Sequence, residues 1–145
     1  MSSEETETVR FTDPVPAVQE YLSNLFPGVR IASQVPDDGT YSLDELLILV
    51  TDAGGGLIKG RVYREKRIGF DVRCALYDTA SDAAELVDAA IRGMAGIPRL
   101  RFIQNLSAPL FDPDTDLRIP AFTWSAEFFQ RGTPITMKGT SWLQD

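Results

Sequence analysis

The chain has 145 residues and a formal net charge of −7 at pH 7. This length suits one domain, because a chain of this size buries roughly two thirds of its unfolded surface on folding. Histidine is absent and Cys74 is the only cysteine, which excludes Ser-His-Asp and Cys-His catalysis, imidazole-ligated metals and an intrachain disulfide. The acidic balance argues against general binding to nucleic-acid phosphates.

The N-terminal third predicts an arm, a helix and two strands. Residues 1–10 carry three glutamates and no apolar period, so we expect a flexible acidic arm that is no secretory signal. Asp13-Pro14 predicts the start of a helix that Pro27-Gly28 ends. A short strand is expected over residues 29–35. The apolar run 45–51 predicts a buried strand, which we expect the glycines of residues 52–56 to break.

The middle of the chain predicts the core unit, a strand followed by a helix. Residues 67–77 alternate between apolar and polar, which predicts a half-buried strand. Its apolar side carries Ile68, Phe70, Val72, Cys74 and Leu76. Over residues 81–95 the apolar spacing changes to three and four, which predicts a helix capped by Thr79 or Ser81 and ended by Gly96.

The C-terminal third predicts two further strands. Residues 100–106 form a strand whose alternation slips near the centre, which indicates a bulge. Residues 107–118 are expected to form a loop, and residues 119–130 alternate again. Pro120 indicates a strand start or an edge position. We expect the apolar side chains of residues 133–145 to dock on this subunit or on a neighbour.

The predicted order is therefore α-β-β-β-α-β-β. Runs of short strands with two helices between them predict an α+β fold. We expect a mainly antiparallel sheet of about five strands, with the two helices packed on one face. The single domain is expected over residues 11–132, between the N-terminal arm and the C-terminal tail. No apolar run approaches the roughly 20 residues that span a bilayer.

Two short motifs weakly suggest ligand sites. Gly55 and Gly60 have the outer spacing of a phosphate loop, but Arg61 stands where lysine is required, and a hairpin tip is the better interpretation. Asp112, Asp114 and Asp116 have the opening spacing of a calcium loop. Leu117 and Thr123 occupy the positions that need glycine and glutamate, so a solvated Asx turn is favoured. We predict no metal and no cofactor.

A pair of carboxylates and one basic stretch each have more than one interpretation. Asp71 and Glu127, near Arg73, could build a paired-carboxylate hydrolase, although ion pairing is the favoured interpretation. Residues 59–67 form the only strongly basic stretch, in an expected hairpin or projecting loop. Nucleic acid is one possible partner, but Tyr63 is the only aromatic residue there. An acidic partner surface, such as the arm of a neighbouring subunit, is favoured over it, and a solvated loop is the remaining alternative.

Several short segments support a family resemblance. In chain order they are Leu-Phe-Pro-Gly-Val-Arg30, Leu-Leu-Ile-Leu-Val50, Ala-Leu-Tyr-Asp78 with the alanine-rich helix after it, and Ala-Phe-Thr-Trp-Ser-Ala-Glu-Phe128. Over about residues 13–131 the chain resembles the tail terminator, or tail completion, proteins of long-tailed bacteriophages, especially actinobacterial phages. The resemblance is one of element order and short phrases, without a catalytic motif.

The resemblance implies a non-enzymatic virion protein, made in the host cytoplasm. Six copies would form a ring that ends the tail tube on one face and joins the head connector, or stopper protein, on the other, with DNA passing through the lumen. Six copies at −7 each carry −42 formal charges, and a lumen of like charge lets DNA slide. The alternatives are a head-completion adaptor or tail-tube subunit, and third a small carboxylate enzyme.

We expect partner contacts at the glycine-rich projection, the aspartate loop and the termini. The candidate residues are Gly54, Gly55, Gly56, Lys59, Arg61, Arg64, Phe111, Asp112, Asp114, Asp116, Arg118, Trp142 and Leu143.

Overall fold

The computed structural model describes residues 7–59 and 62–136. The elements in chain order are β1 (Glu7–Arg10), α1 (Val15–Leu25), β2 (Arg30–Ala32), β3 (Leu47–Lys59), β4 (Tyr63–Arg73), α2 (Tyr77–Arg92), β5 (Leu100–Asn105), β6 (Leu110–Phe111), β7 (Ala121–Arg131) and β8 (Thr133–Thr136).

A six-stranded sheet with two helices on one face confirms the predicted α+β class. The strand order is β2-β3-β4-β7-β5, and β6 also pairs with β7. Within the described chain, β2 and β3 form the only parallel pair. All seven predicted elements occur in the predicted order; β1, β6 and β8 are additional.

The core lies between the helices and one face of strands β3, β4 and β7. Register places Val50 beside Phe70 and Phe70 beside Trp124, and all three side chains are buried in one cluster. The helices supply complementary apolar stripes. The buried members are Val15, Val18 and Leu22 of α1 and Ala80, Ala83, Ala84, Val87 and Ile91 of α2. Three- and four-residue spacing brings such residues to one side of a helix.

The glycines of residues 54–56 do not break β3, contrary to the prediction. The strand continues to Lys59 with register shifts between Asp52 and Gly55 and between Gly55 and Ile58. Gly54 has φ +100°, and its N–H donates to Asp52 Oδ1 at 2.7 Å. A Cβ on Gly56 would lie 2.6 Å from Glu65 Oε2. Glycine here permits bulges and a close approach between strands.

Helix α2 begins and ends earlier than predicted. Its N-cap is Leu76, in an extended conformation and without a side-chain cap, and its C-cap is Gly93. Thr79 and Ser81 therefore lie inside the helix, and Gly96 lies beyond it. Because β4 ends at Arg73, the alternation does not reach Leu76, whose side chain is 58% exposed.

Strand β7 lies in the interior of the sheet, between β4 and the β5 and β6 strands. Pro120 therefore directly precedes the first residue of a central strand, which confirms the predicted strand start and excludes the edge position. The predicted bulge in β5 is confirmed by a register shift between Phe102 and Gln104. Part of the predicted 107–118 loop is a strand, because Leu110 and Phe111 pair with Thr123 and Phe122.

Strands β1 and β8 pair with each other in a separate two-stranded ribbon. This corrects the prediction of a flexible arm for residues 7–10, and it joins residues 133–136 of the expected tail to the same subunit. The ribbon leaves the sheet directly after Arg131. A cation–π contact secures its root, with the Arg64 guanidinium 4.7 Å from the centre of the Phe11 ring. The Gln130 side-chain amide also donates to the carbonyl of Thr12.

Gly132→Ala should open the ribbon, because a Cβ at that position would overlap Val9 Cγ1 and lie 3.3 Å from the Arg10 carbonyl oxygen. We expect faster hydrogen exchange at the amides of residues 8–10, measured by NMR, with the core unchanged. Adding Val9→Ala removes the overlapping methyl group and should restore much of the protection.

The matched control is Gly93→Ala, where a Cβ would meet only the Ala89 carbonyl oxygen, at 3.4 Å. Ribbon amides that exchange equally slowly in the wild type and in Gly132→Ala would contradict this account.

Candidate partner-binding surfaces

The sheet face opposite the helices carries polar and charged side chains on its central strands. Register aligns Asp71 with Thr123, Gly69 with Ser125, and Arg67 with Glu127 along this face. Strand β4 runs from Tyr63 to Arg73, so its ten steps separate the two ends of the sheet by roughly 33 Å. The two ends differ in chemistry.

Arg73 forms an ion-pair network at the first end. Its Nε and Nη2 donate to the two carboxylate oxygens of Asp71 at 2.8 and 2.9 Å, and its Nη1 donates to Asp114 Oδ2 at 2.5 Å. The guanidinium is largely buried. Bidentate pairing with Asp71 raises the Arg73 pKa, so the charge persists at every physiological pH. The network ties β4 to the aspartate loop.

Asp114 also organises the aspartate loop itself. Its Oδ1 accepts the backbone N–H groups of Asp116 and Leu117, both at 2.9 Å, as predicted for an Asx turn. The Leu117 amide and the Arg73 guanidinium hold the pKa of the Asp114 carboxyl below its ordinary value. Arg118 follows in the left-handed region, with φ 58°. In residues 7–59 and 62–136, no cluster of three or more His, Cys, Asp or Glu side chains could hold a metal ion.

Exposed apolar side chains collect at this same end of the sheet, which we call the apolar end. It consists of Leu76, Tyr77, Leu110 and Phe111, which are 49–62% exposed. The Tyr77 and Phe111 rings meet edge to face at 5.5 Å, and Phe111 rests on buried Phe122 at the same distance. Leu110 pairs with Thr123 and therefore lies on the sheet face opposite Phe111. Exposed apolar side chains thus occur on both faces at this end, which is typical of a protein–protein contact. Phe111 is among the contacts predicted from the sequence, and Leu76, Tyr77 and Leu110 are not.

The opposite end holds a cleft of about 550 Å³, which we call the arginine cleft. Its lining consists of Tyr63, Arg99, Leu100, Arg101, Phe129 and Arg131. The Tyr63 and Phe129 rings stack at 4.9 Å with 8° between their planes. Arg99 Nη1 donates to the Gly132 carbonyl at 2.7 Å. None of the three guanidinium groups forms a salt bridge with a carboxylate that the structure describes.

The predicted basic contact residues have different placements. Arg64 points to the helix side of the sheet, where its Nε donates to Gln130 Oε1 at 2.8 Å, so its guanidinium has an internal role. Lys59 ends β3 opposite Tyr63, close to the arginine cleft. The predicted contacts Arg61, Trp142 and Leu143 lie outside the described residues.

The remaining predicted contacts divide between strand and loop. Gly54, Gly55 and Gly56 lie in β3, which pairs with β4 as a long hairpin. The hairpin is therefore confirmed as the correct one of the two predicted alternatives, and the glycines do not lie in a projecting loop. Asp112 and Asp116 are exposed in the aspartate loop, in agreement with its expected accessibility.

Asp71 and Glu127 are not brought together. Glu127 lies four residues along β7 from Thr123, the register partner of Asp71, which corresponds to roughly 13 Å. Paired-carboxylate hydrolases need roughly 5–9.5 Å. Instead Glu127 approaches Arg67 Nε at 3.8 Å across the strands and accepts a hydrogen bond from Gln104 Nε2 at 3.2 Å. The predicted ion pairing is confirmed.

The arginine cleft was missed because β4, β5 and β7 bring together residues that are far apart in sequence. Arg101 and Arg131 both fall on the polar side of their strands, and that parity was the available signal. No protein-family model and no curated protein matches this chain. In the described part of the chain, no helix is long and apolar enough to cross a membrane.

Asp114→Asn should destabilise the protein by about 2 kcal/mol at pH 7, because it removes the charge from hydrogen bonds to Arg73 and two amides. The folded-state pKa of Asp114 is depressed. Its contribution is therefore complete above the unfolded pKa of about 3.9 and is lost as pH falls through the folded value. Urea denaturation should show a constant gap above about pH 5 that narrows in more acidic solution.

Asp116→Asn serves as control, because the exposed Asp116 side chain makes no described salt bridge; we expect a change within about 0.5 kcal/mol. An Asp114→Asn gap of the same size at pH 7 and pH 3 would show that ionisation of this carboxylate does not stabilise the fold.

Proposed function

We propose that this chain is the tail terminator of a long-tailed bacteriophage, a structural subunit that forms a hexameric ring at the top of the tail tube. The ring ends tube polymerisation on one face and receives the head connector or stopper protein on the other. DNA passes through the lumen without specific binding. The chain would act in the virion after assembly in the host cytoplasm.

One observation carries this proposal, namely that a single sheet presents two different surfaces at its opposite ends. The apolar end exposes Leu76, Tyr77, Leu110 and Phe111, and the arginine cleft gathers three guanidinium groups. A subunit that joins two unlike partners along one axis needs unlike ends. In a closed ring each end is repeated around the axis, so weak contacts act together.

The element order and the charge support the same proposal. The α-β-β-β-α-β-β order on which the resemblance rests is present in the fold. The net charge of −7 per chain makes an assembled ring strongly acidic, which disfavours tight contact with DNA in the lumen. A head-completion adaptor or a tail-tube subunit shares these features, and copy number separates them from a terminator.

Electron microscopy of the virion should show six copies of this chain in one ring at the junction of tail tube and head connector. Tail-tube subunits instead stack in many rings, so quantitative mass spectrometry of virions gives an independent copy number. A single copy per virion, or rings repeated along the tail, would rule out the terminator.

Leu110→Asp should block joining while leaving the fold intact, because Leu110 is 62% exposed and a carboxylate there would have to be desolvated in an apolar contact. The substitution is expected to change the free energy of unfolding by less than about 1 kcal/mol. Complementation of a phage that lacks the gene should give unjoined heads and tails and a large fall in titre.

The matched control is Leu86→Asp, because Leu86 is 59% exposed on α2 and lies outside the apolar end. Equal titres for Leu110→Asp and Leu86→Asp would show that the apolar end has no role in joining.

A further inference from the structure

The arginine cleft brings together three arginines of an acidic protein, and none of the three forms a salt bridge within the described residues. Asp and Glu outnumber Lys and Arg by 21 to 14 over the chain. Four other arginines form salt bridges with carboxylates: Arg30, Arg67, Arg73 and Arg92. Arg99, Arg101 and Arg131 converge on one cleft without a described carboxylate. This concentration of positive charge calls for an anionic occupant from outside the described residues.

Short acidic peptide fits the cleft better than nucleic acid does. A nucleic acid spreads its phosphate charges over a longer distance than a cleft of about 550 Å³ can enclose. In addition, the neighbouring row of residues in the sheet presents the carboxylate of Glu127, which has the same sign of charge as phosphate. The Tyr63 and Phe129 rings already stack on each other, which leaves less ring surface for bases. Two or three neighbouring carboxylates match the charge of three guanidinium groups within the length of the cleft.

The chain itself contains such a segment. Residues 1–7 read Met-Ser-Ser-Glu-Glu-Thr-Glu, and Glu7 is the first residue of β1. Glu7 pairs with Thr136 at the outer end of the ribbon, whereas Arg10 pairs with Thr133 at the root beside Arg131. The three steps between them place the outer end roughly 10 Å from the root. The segment therefore starts at the outer end of the ribbon and not at its root beside Arg131.

We propose that Glu4 and Glu5 of one copy bind the arginine cleft of the next copy, through Arg99, Arg101 and Arg131. Six residues reach at most about 20 Å when extended, so the segment can extend well beyond the ribbon of its own subunit. Each copy offers one acidic segment and one cleft, so the contact is head to tail, and such a contact forms a ring when the rotation between copies closes. The inference deepens the proposed ring function and rests on it for the number of copies.

Arg99 links the two halves of this contact. Its Nη1 holds the Gly132 carbonyl at the root of the ribbon, while its side chain lines the cleft. The position of the outgoing segment and that of the receiving site are therefore set by the same residue. A change at Arg99 would also disturb the ribbon, so Arg101 is the residue of the cleft to substitute.

The first test measures binding of a fluorescent peptide of residues 2–8 to the full-length protein by anisotropy. We expect salt-dependent binding that Arg101→Glu weakens about tenfold or more, because it places like charges together. Arg118→Glu changes the net charge equally but lies in the aspartate loop at the other end of the sheet, so it should leave binding unchanged. A peptide with glutamine at its three glutamate positions should not bind.

Two results of this test would overturn the proposal. One is failure of the wild-type protein to bind the peptide, or equal binding by Arg101→Glu. The other is arginine-dependent binding of a labelled oligothymidylate in place of the peptide, which would assign the cleft to nucleic acid. Circular dichroism and thermal unfolding of each variant show whether the fold is retained.

The second test separates exchange between copies from binding within one copy. Full-length chains carrying Glu4→Cys are mixed with affinity-tagged chains carrying Arg101→Cys and oxidised. We expect a disulfide-linked dimer of one tagged and one untagged chain. Cys74 is buried, and wild-type chains treated in the same way show its background. If the double variant in one chain forms only an intramolecular disulfide, and the mixture forms none, exchange between copies is excluded.

The outcome for the segment and the outcome for the ring can be told apart. Hexameric rings in virions whose assembly is unaffected by Arg101→Glu would retain the terminator and overturn the exchange. The peptide could instead bind through the arginines while the protein occurs as a single copy per virion. That result would support an acidic peptide as the ligand of the arginine cleft and would overturn the ring.

Discussion

The fold depends on burying one face of three long antiparallel strands beneath two helices. Val50, Phe70 and Trp124 lie side by side in neighbouring strands, and each is buried. Burying a side chain of this size contributes roughly 1.5–3 kcal/mol. A slip of one residue would turn this row to the polar face, so the register of the whole sheet is strongly fixed. That register also determines which side chains occupy the opposite face.

The helices cover only part of the strands, and the uncovered ends are where the surfaces with distinct chemistry arise. Beyond the helices, the helix-side face of the β3–β4 hairpin is polar, and Lys66 Nζ lies 2.6 Å from Asp52 Oδ2. This contact lowers the Asp52 pKa. At the other end, Tyr77 and Phe111 cover Phe122 and remain exposed themselves. The core thus fixes the orientation of both ends, whereas their polar or apolar character comes from side chains outside the core.

Sequence patterns predicted the elements that bury a regular face. Strands β4 and β7 and helix α2 each contribute several side chains to the core, so their periods are long enough to recognise. Strand β6 has two residues, and strands β1 and β8 have four each. These strands are too short to show a period in the sequence. Helix α2 begins without a side-chain cap at Leu76, so capping residues inside the helix misled the prediction.

For the candidate sites too, local contacts were predictable from the sequence and contacts between distant segments were not. The Asx turn at Asp114 was predictable because its donors, Asp116 and Leu117, are within three residues. The partners of Arg64 and the convergence of Arg99, Arg101 and Arg131 depend on strand order, which local spacing does not reveal. Glycines 54–56 show the same limit, because a bulge within a paired strand and a loop share one composition.

On the proposed function, the strength of the contacts determines when the ring can form. Exposed pairs between arginine and carboxylate contribute about 0.2–1 kcal/mol each and weaken with salt. One acidic segment in one arginine cleft therefore binds weakly. A peptide titration at low salt and high protein concentration detects such binding, but free subunits stay monomeric at ordinary concentrations. When the tail tube binds several subunits side by side, the segment and the cleft meet at high effective concentration and the contacts add. Weak exchange between copies would thus confine ring closure to the end of a finished tube.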